Sequence, residues 1–153
     1  MYSFYRKIFT IILILAFVTN NPVFASRLYS DIPQGHWAEN AADVLGEENI
    51  MEGASSTEFN GNLAIKRYDV AKTLNGLLGD RFIPITITLV DDVRAGDPDF
   101  RVIMKMLSAN LMDTQGNKFN GDKKVSRYDF GNFIIKTLNY LQAETLAIRR
   151  QPR

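Results

Sequence analysis

No cysteine occurs among the 153 residues. Disulfides, thiolate metal sites and a lipidated N-terminal cysteine are excluded, so stability has to come from a packed core of modest size. Histidine occurs once, at His36, which rules out a histidine-rich metal site. A Ser–His–Asp triad would have to use His36, which stands beside Trp37 at a helix start, and no nucleophile signature accompanies it. A Gly-rich phosphate loop is also missing. Asp113 to Lys118 faintly resembles a calcium loop, but Lys118 stands where glycine is needed and Lys124 where the bidentate glutamate belongs. No metal, no cofactor and no enzymatic activity are expected from these residues.

A surplus of positive charge is lacking too. Lys and Arg number 18 against 17 acidic residues, and nothing resembles the clustered basic surface that phosphate neutralisation on a nucleic acid requires. The longest apolar run, Ile8 to Val18, is shorter than the ~20 residues needed to cross a bilayer. Arg6 and Lys7 precede it, Asn20, Asn21 and Pro22 break it, and Val23-Phe24-Ala25 offers small residues at the first and third positions. This is the pattern of a secretory signal peptide over residues 1–25, the alternative being an uncleaved anchor. Cleavage after Ala25 removes Arg6 and Lys7, takes Lys and Arg from 18 to 16, and turns the formal charge from +1 to about −1. No membrane span is expected after cleavage.

What is present is a repeat. Ile65-Lys66-Arg67-Tyr68-Asp69 returns 60 residues later as Val125-Ser126-Arg127-Tyr128-Asp129. Each copy follows a Phe-Asn-Gly turn, Phe59-Asn60-Gly61 and Phe119-Asn120-Gly121. Upstream, Ser30-Asp31-Ile32 matches Asp91-Asp92-Val93, and Asn49-Ile50-Met51 matches Asn110-Leu111-Met112, at an offset of 61. A fixed period of this kind marks a repeated structural unit. The expected division is residues 26–80 for the first repeat, 81–89 for an extended linker, 90–142 for a second repeat with a degenerate first half, and 143–153 for a helix end and basic tail.

Each unit reads as helix, Gly-containing loop, helix. In unit one the first helix is expected from His36 to Glu47, with Trp37, Ala41, Val44 and Leu45 on one face. In unit two it starts near Pro98 with Asp97 as N-cap, and Val102, Ile103, Met106 and Leu107 form its stripe. The second helices begin just before Arg67 and Arg127. Ser126 with Asp129 approaches a capping box, whereas Lys66 cannot cap. Their apolar faces are Val70, Ala71, Leu74, Leu77 and Leu78, and Phe130, Phe133, Ile134, Leu138 and Leu141. The last helix runs on to about Ile148. Ile83, Ile85, Ile87 and Leu89 alternate with Pro84, Thr86, Thr88 and Val90, a short strand or extended linker with one buried face, and Pro84 restricts it to an edge.

These residues resemble the S-layer homology (SLH) family. Tyr29-Ser30-Asp31-Ile32-Pro33, His36-Trp37-Ala38, Asn49 to Gly53, Phe59-Asn60-Gly61 and Ile65 to Ala71 follow its pattern in order and spacing. Unit two is the weaker match: Pro98 stands in place of Trp37, and Phe100 is a candidate to replace the indole in the core. The resemblance implies a mainly α fold, helix-loop-helix repeats packed as an incomplete pseudo-threefold bundle, since the family typically has three repeats and two are recognisable here. It implies a non-catalytic module of the cell wall or periplasm that binds a secondary polysaccharide linked to peptidoglycan. The Arg-Tyr-Asp form of the motif is similar to that of diderm bacteria. Two units suffice, or chains associate as homo-oligomers or with another SLH protein, in which case the chain is a structural adaptor.

The motif also defines candidate ligand-binding residues. A helix start carries free N–H groups and partial positive charge, and a guanidinium adds a planar donor fork for carboxylate or phosphate. Arg67 and Arg127 are the candidate donors, the alternative being that each pairs with a nearby acid and pins helix to loop. Asp69 and Asp129 are read as dipole partners or orienters of the arginines. Tyr68 and Tyr128 offer either a ring face to a sugar or packing at the repeat junction. Trp37 is expected as a core anchor, with a sugar platform as the alternative. Gly53 and Gly116 are expected to supply loop conformations closed to other residues.

Overall fold

The computed structural model describes residues 27–81 and 83–149. The expected signal segment and the end of the basic tail lie outside the described residues. Four helices are found there: α1 (Glu39–Glu47), α2 (Arg67–Leu78), α3 (Phe100–Ser108) and α4 (Arg127–Arg149). The protein is mainly helical, with α1–α2 and α3–α4 as two copies of one helix–loop–helix plan. Among the described residues the only β-type pairings are isolated bridges, Lys66 with Lys124 and Gln115 with Lys118.

The two copies repeat one set of backbone devices. α1 stops where Asn49 takes φ +53°, and α3 stops where Asn110 takes φ +54°. Asparagine tolerates this left-handed geometry, which ends a helix by turning its last carbonyls inward. Ile50 N–H then donates to Leu45 O, and Leu111 N–H to Met106 O, each at 2.9 Å. Asn60 and Asn120 are left-handed as well, both at φ +55°. The loop is tied to the unit start by Asp31, whose two oxygens each accept at 2.7 Å from Phe59 N–H and Asn60 N–H. Asp92 holds Phe119 N–H and Asn120 N–H in the same way, at 2.8 and 2.7 Å.

The main core forms around α2, which packs on α3 and α4. Val70, Ala71, Leu74 and Leu78 meet Ile103, Met104, Met106, Leu111, Met112, Phe119 and Phe133. Each such side chain stabilises the fold by roughly 1.5–3 kcal/mol on burial if it is large. A smaller cluster of Tyr29, Ile32 and Ala42 sits under unit one. The unit-two stripe is largely as expected: Ile103 and Met106 are buried, with Val102 and Leu107 packed against the core. Phe100 also packs there.

Other expectations need correction. α1 begins at Glu39, not His36, and Ala42 is its buried residue, while Ala41 and Val44 are exposed. α3 begins at Phe100, so Pro98 precedes it, and the Asp97 carboxylate accepts from Arg94 N–H at 2.7 Å in the preceding turn. On α4, Phe133 is buried but Phe130 and Leu138 are exposed. The Ile83–Val90 segment is extended without forming a strand. Thr86 is tied to α3, its N–H donating to the Ser108 hydroxyl at 2.8 Å and its C=O accepting from it at 3.0 Å. Ile83 is buried, but Ile85, Ile87 and Leu89 are exposed because no neighbouring strand covers them.

Candidate functional site

The paired helix starts have different surroundings. At α2 the chain enters the loop of unit two: Arg67 N–H donates to Lys123 O at 3.0 Å, Tyr68 N–H to Gly121 O at 2.9 Å, and Val125 N–H to Ile65 O at 3.0 Å. Three free N–H or C=O groups of each element are satisfied by the other, which fixes their register. The Arg67 side chain follows its backbone inward and is 1% exposed. Its Nε donates to Phe119 O at 2.8 Å and its Nη2 to Asp113 O, with Asp113 Oδ1 at 3.6 Å from Nη2. The guanidinium lies over two aromatic faces, 4.9 Å from the Phe119 centroid and 5.4 Å from that of Phe133. Planar, weakly hydrated guanidinium suits such a cage, where lysine does not.

Tyr68 completes the junction. Its ring lies 5.8 Å from Phe119 and presses on Gly121, where an added Cβ would come within 2.0 Å of the ring. Burial pushes the Tyr68 phenol above its ordinary range. Outside the ring, Lys66 Nζ meets Asp122 Oδ1 at 2.9 Å, and that hydrogen bond raises the lysine. Asp69 reaches back to Lys66 N–H at 3.2 Å, so it caps α2 rather than orienting Arg67.

At α4 the same motif has no such receiver. Ser126 Oγ accepts from Asp129 N–H at 3.1 Å, the expected cap, and donates to Asp129 Oδ2 at 2.9 Å, so the carboxylate takes the hydroxyl in place of the backbone N–H of a capping box. Arg127 is exposed and Tyr128 is 91% exposed. Together with Gly53, Asp69, Lys66 and Lys72 they line a groove of about 1510 Å³ between the units. Arg67 and Tyr68 do not line it.

Trp37 is the other departure. Expected in the core, it is 88% exposed. It precedes the first residue of α1, so helical periodicity does not govern where it points. Its indole stands 5.5 Å from the His36 ring, at the edge of a shallow depression that also holds Asp31, Pro33, Asn60, Asn62 and Leu63. Gly116 takes φ +64° as a loop position should. Gly53 instead is needed for space, since a Cβ there would lie 2.5 Å from Tyr29 and 2.6 Å from Glu58 O.

Sequence reasoning overlooked the two loop clamps, Asp31 and Asp92. The signal was there: an aspartate recurring before each aliphatic start, in step with each Phe-Asn-Gly turn. Backbone N–H groups of Phe59 and Asn60 hold the Asp31 carboxyl below its ordinary range. Phe119 and Phe133, which cage Arg67, were also not foreseen as a pair.

Fold and junction define a tandem helix–loop–helix repeat module in which one unit's arginine-tyrosine helix start is buried in the next unit's loop. The S-layer homology domain model matches residues 28–71 and 91–130, more than half of the chain, and the chain belongs to that family. It is also similar to two curated proteins called outer membrane protein SlpA, from Thermus thermophilus, with 36% identity over 55 residues. The match covers 36% of this chain and 6% of those proteins. SLH domains are non-catalytic cell-surface anchoring modules that bind cell-wall polymers in general, and membership places the protein at the cell envelope or surface. No helix among the described residues is long and apolar enough to cross a membrane.

Proposed function

We propose that the protein is a secreted anchoring module that binds a polysaccharide linked to peptidoglycan, with Trp37 as the sugar platform. The exposed indole carries this reading. An indole left 88% exposed forgoes a large burial gain. It offers a flat apolar face suited to the C–H face of a pyranose. His36, Asn60 and Asn62 around the same depression supply hydrogen-bonding groups for hydroxyls. Arg67 takes the other role weighed for it and pins helix to loop, its Nε and Nη2 being bonded to backbone carbonyls.

Co-sedimentation with protein-free peptidoglycan sacculi tests the reading, using sacculi with and without their attached polysaccharide. The protein should pellet with the intact sacculi and stay in solution with the stripped ones. Trp37→Ala should weaken binding about tenfold or more, equivalent to ~1.4 kcal/mol or more, with an unchanged unfolding midpoint. Retention in the supernatant with intact sacculi overturns the proposal, as does full binding by Trp37→Ala for the assigned site.

A further inference from the structure

Three Asn-Gly dipeptides occur in the chain, Asn60-Gly61, Asn75-Gly76 and Asn120-Gly121. Such a pair sets an electrophile beside a nucleophile: the side-chain amide carbon, and the next backbone nitrogen, which no side chain shields. Attack of that nitrogen closes a succinimide ring and needs the backbone between the two to rotate. The rate therefore follows how often the local structure opens. The three pairs differ in what holds that backbone. Asn75 and Gly76 lie inside α2, where helical hydrogen bonding engages the backbone N–H groups. Asn75 Oδ1 also accepts from Lys105 Nζ at 3.0 Å, and a Cβ on Gly76 would come within 2.6 Å of the Ile50 Cα. Asn120 and Gly121 are held by the other unit. Gly121 O accepts from Tyr68 N–H at 2.9 Å, the Tyr68 ring covers Gly121, and Lys123 O accepts from Arg67 N–H at 3.0 Å. Asn60 shares the backbone of Asn120, both at φ +55°, and the same turn bond, Leu63 N–H to Asn60 O and Lys123 N–H to Asn120 O, each 2.9 Å. Past Asn60 the likeness stops. Gly61 and Leu63 are exposed, and among the described residues the turn bond is the only hydrogen bond of the Gly61–Leu63 backbone.

We propose that Asn60-Gly61 is a self-modifying site, at which Asn60 is converted without an enzyme to isoaspartate and aspartate. The Gly61 nitrogen bonds to Asn60 Cγ, and the side-chain nitrogen leaves as ammonia, carrying the Gly61 amide proton. One water then opens the ring. Opening at Cγ gives aspartate, and opening at the Asn60 backbone carbonyl gives isoaspartate, which adds Cβ to the main chain. No oxidant or reductant takes part. Both products put a carboxylate where an amide stood. Asn60 Nδ2 donates to Glu58 Oε2 at 3.3 Å, and Asn60 N–H donates to Asp31 Oδ2 at 2.7 Å. A carboxylate at position 60 loses the first bond and stands among two like charges. The loop that walls the depression beside Trp37 is thereby loosened. With Trp37 as the sugar platform, the conversion acts as a timer for release from the wall. That consequence rests on the function proposed above, and the conversion itself does not.

Peptide mapping by mass spectrometry tests it, on the purified protein held folded in mildly alkaline buffer and sampled over days. The Asn60 peptide should gain the mass of an amide-to-acid conversion and give isoaspartate fragments. The Asn120 and Asn75 peptides should convert at least about tenfold more slowly, equivalent to ~1.4 kcal/mol or more in barrier. In urea-unfolded protein all three should convert at similar rates. Gly61→Val, whose side chain shields the attacking nitrogen, should slow Asn60 by about tenfold or more. An Asn60 that stays intact in the folded protein, or an Asn120 that keeps pace with it, overturns the proposal. The converted fraction, separated by anion exchange, should bind intact sacculi about tenfold more weakly than the unconverted one. Equal binding by the two fractions overturns the timer, whereas failure of both to bind overturns the polysaccharide reading and leaves the peptide map as it stands.

Discussion

The ring of Tyr68 rests on the bare Cα of Gly121, so that a Cβ there would come within 2.0 Å of it. The contact joins the two repeats. Gly121→Val should therefore force Tyr68 out of the junction and destabilise the protein by ~3 kcal/mol, the upper part of the range for overpacking. Gly61→Val, at the equivalent place in unit one, meets only the Phe59 ring edge at 3.2 Å and should change stability by no more than ~0.5 kcal/mol. Urea unfolding of the two variants checks this, and equal effects would contradict the junction described.

Arg67 and Arg127 should separate just as clearly. Arg67→Ala removes two hydrogen bonds to carbonyls and a guanidinium packed between Phe119 and Phe133. A loss on the order of 3 kcal/mol is expected from the cavity and the unpaired acceptors together. Arg67→Lys should recover little, because an ammonium lacks the planar fork. Arg127→Ala should stay within ~0.5 kcal/mol of the parent in the isolated protein. Chemical unfolding midpoints at constant m-value decide the matter.

Acid should loosen the unit-one loop through Asp31. Its folded-state pKa lies below the ordinary 3.8 because Phe59 and Asn60 N–H groups favour the carboxylate. A depressed carboxylate contributes stability that is fully present above the unfolded value and is lost as pH falls through the folded value. The contribution should therefore vanish only below about pH 4. Melting curves between pH 2 and 6 should show a steeper acid decline for the parent than for Asp31→Asn, which lacks the titrating group. Identical slopes would rule out a contribution from the Asp31 clamp.

Tyr68 supplies a marker at the alkaline end. Burial raises its folded pKa above the ordinary 10.0. Stability linked to it is complete below the unfolded value and is lost as pH rises through the folded one, that is, from about pH 10 upward. Tyrosine ring carbon resonances followed against pH should show the Tyr68 signal, assigned from Tyr68→Phe, titrating above the ordinary 10.0. Titration at the ordinary value would mean that Tyr68 is not packed in the junction in solution.

The duplicated motif made the repeat, the second-helix starts and the Ser126 cap readable from the sequence. These depend on neighbours within a few residues: a hydroxyl three positions before an N–H, or an asparagine that tolerates φ near +55°. Trp37 was misplaced because a helical period was extended two residues past the true start of α1 at Glu39, into a turn where it has no meaning. The exposed face of α4 was misread for a different reason. Phe130 and Leu138 are apolar at helical spacing, and apolar residues count as core whenever the partner surface is left unspecified.

By itself, the sequence determined two copies of one local plan, their helices and loop turns, because such features follow from backbone geometry and short-range hydrogen bonds. Tertiary structure alone decided that Arg67 is a buried pin while Arg127, in the same Arg-Tyr-Asp setting, stands at the surface. Burial of a side chain depends on which surface arrives from elsewhere in space, and only the loop of unit two arrives at the start of α2.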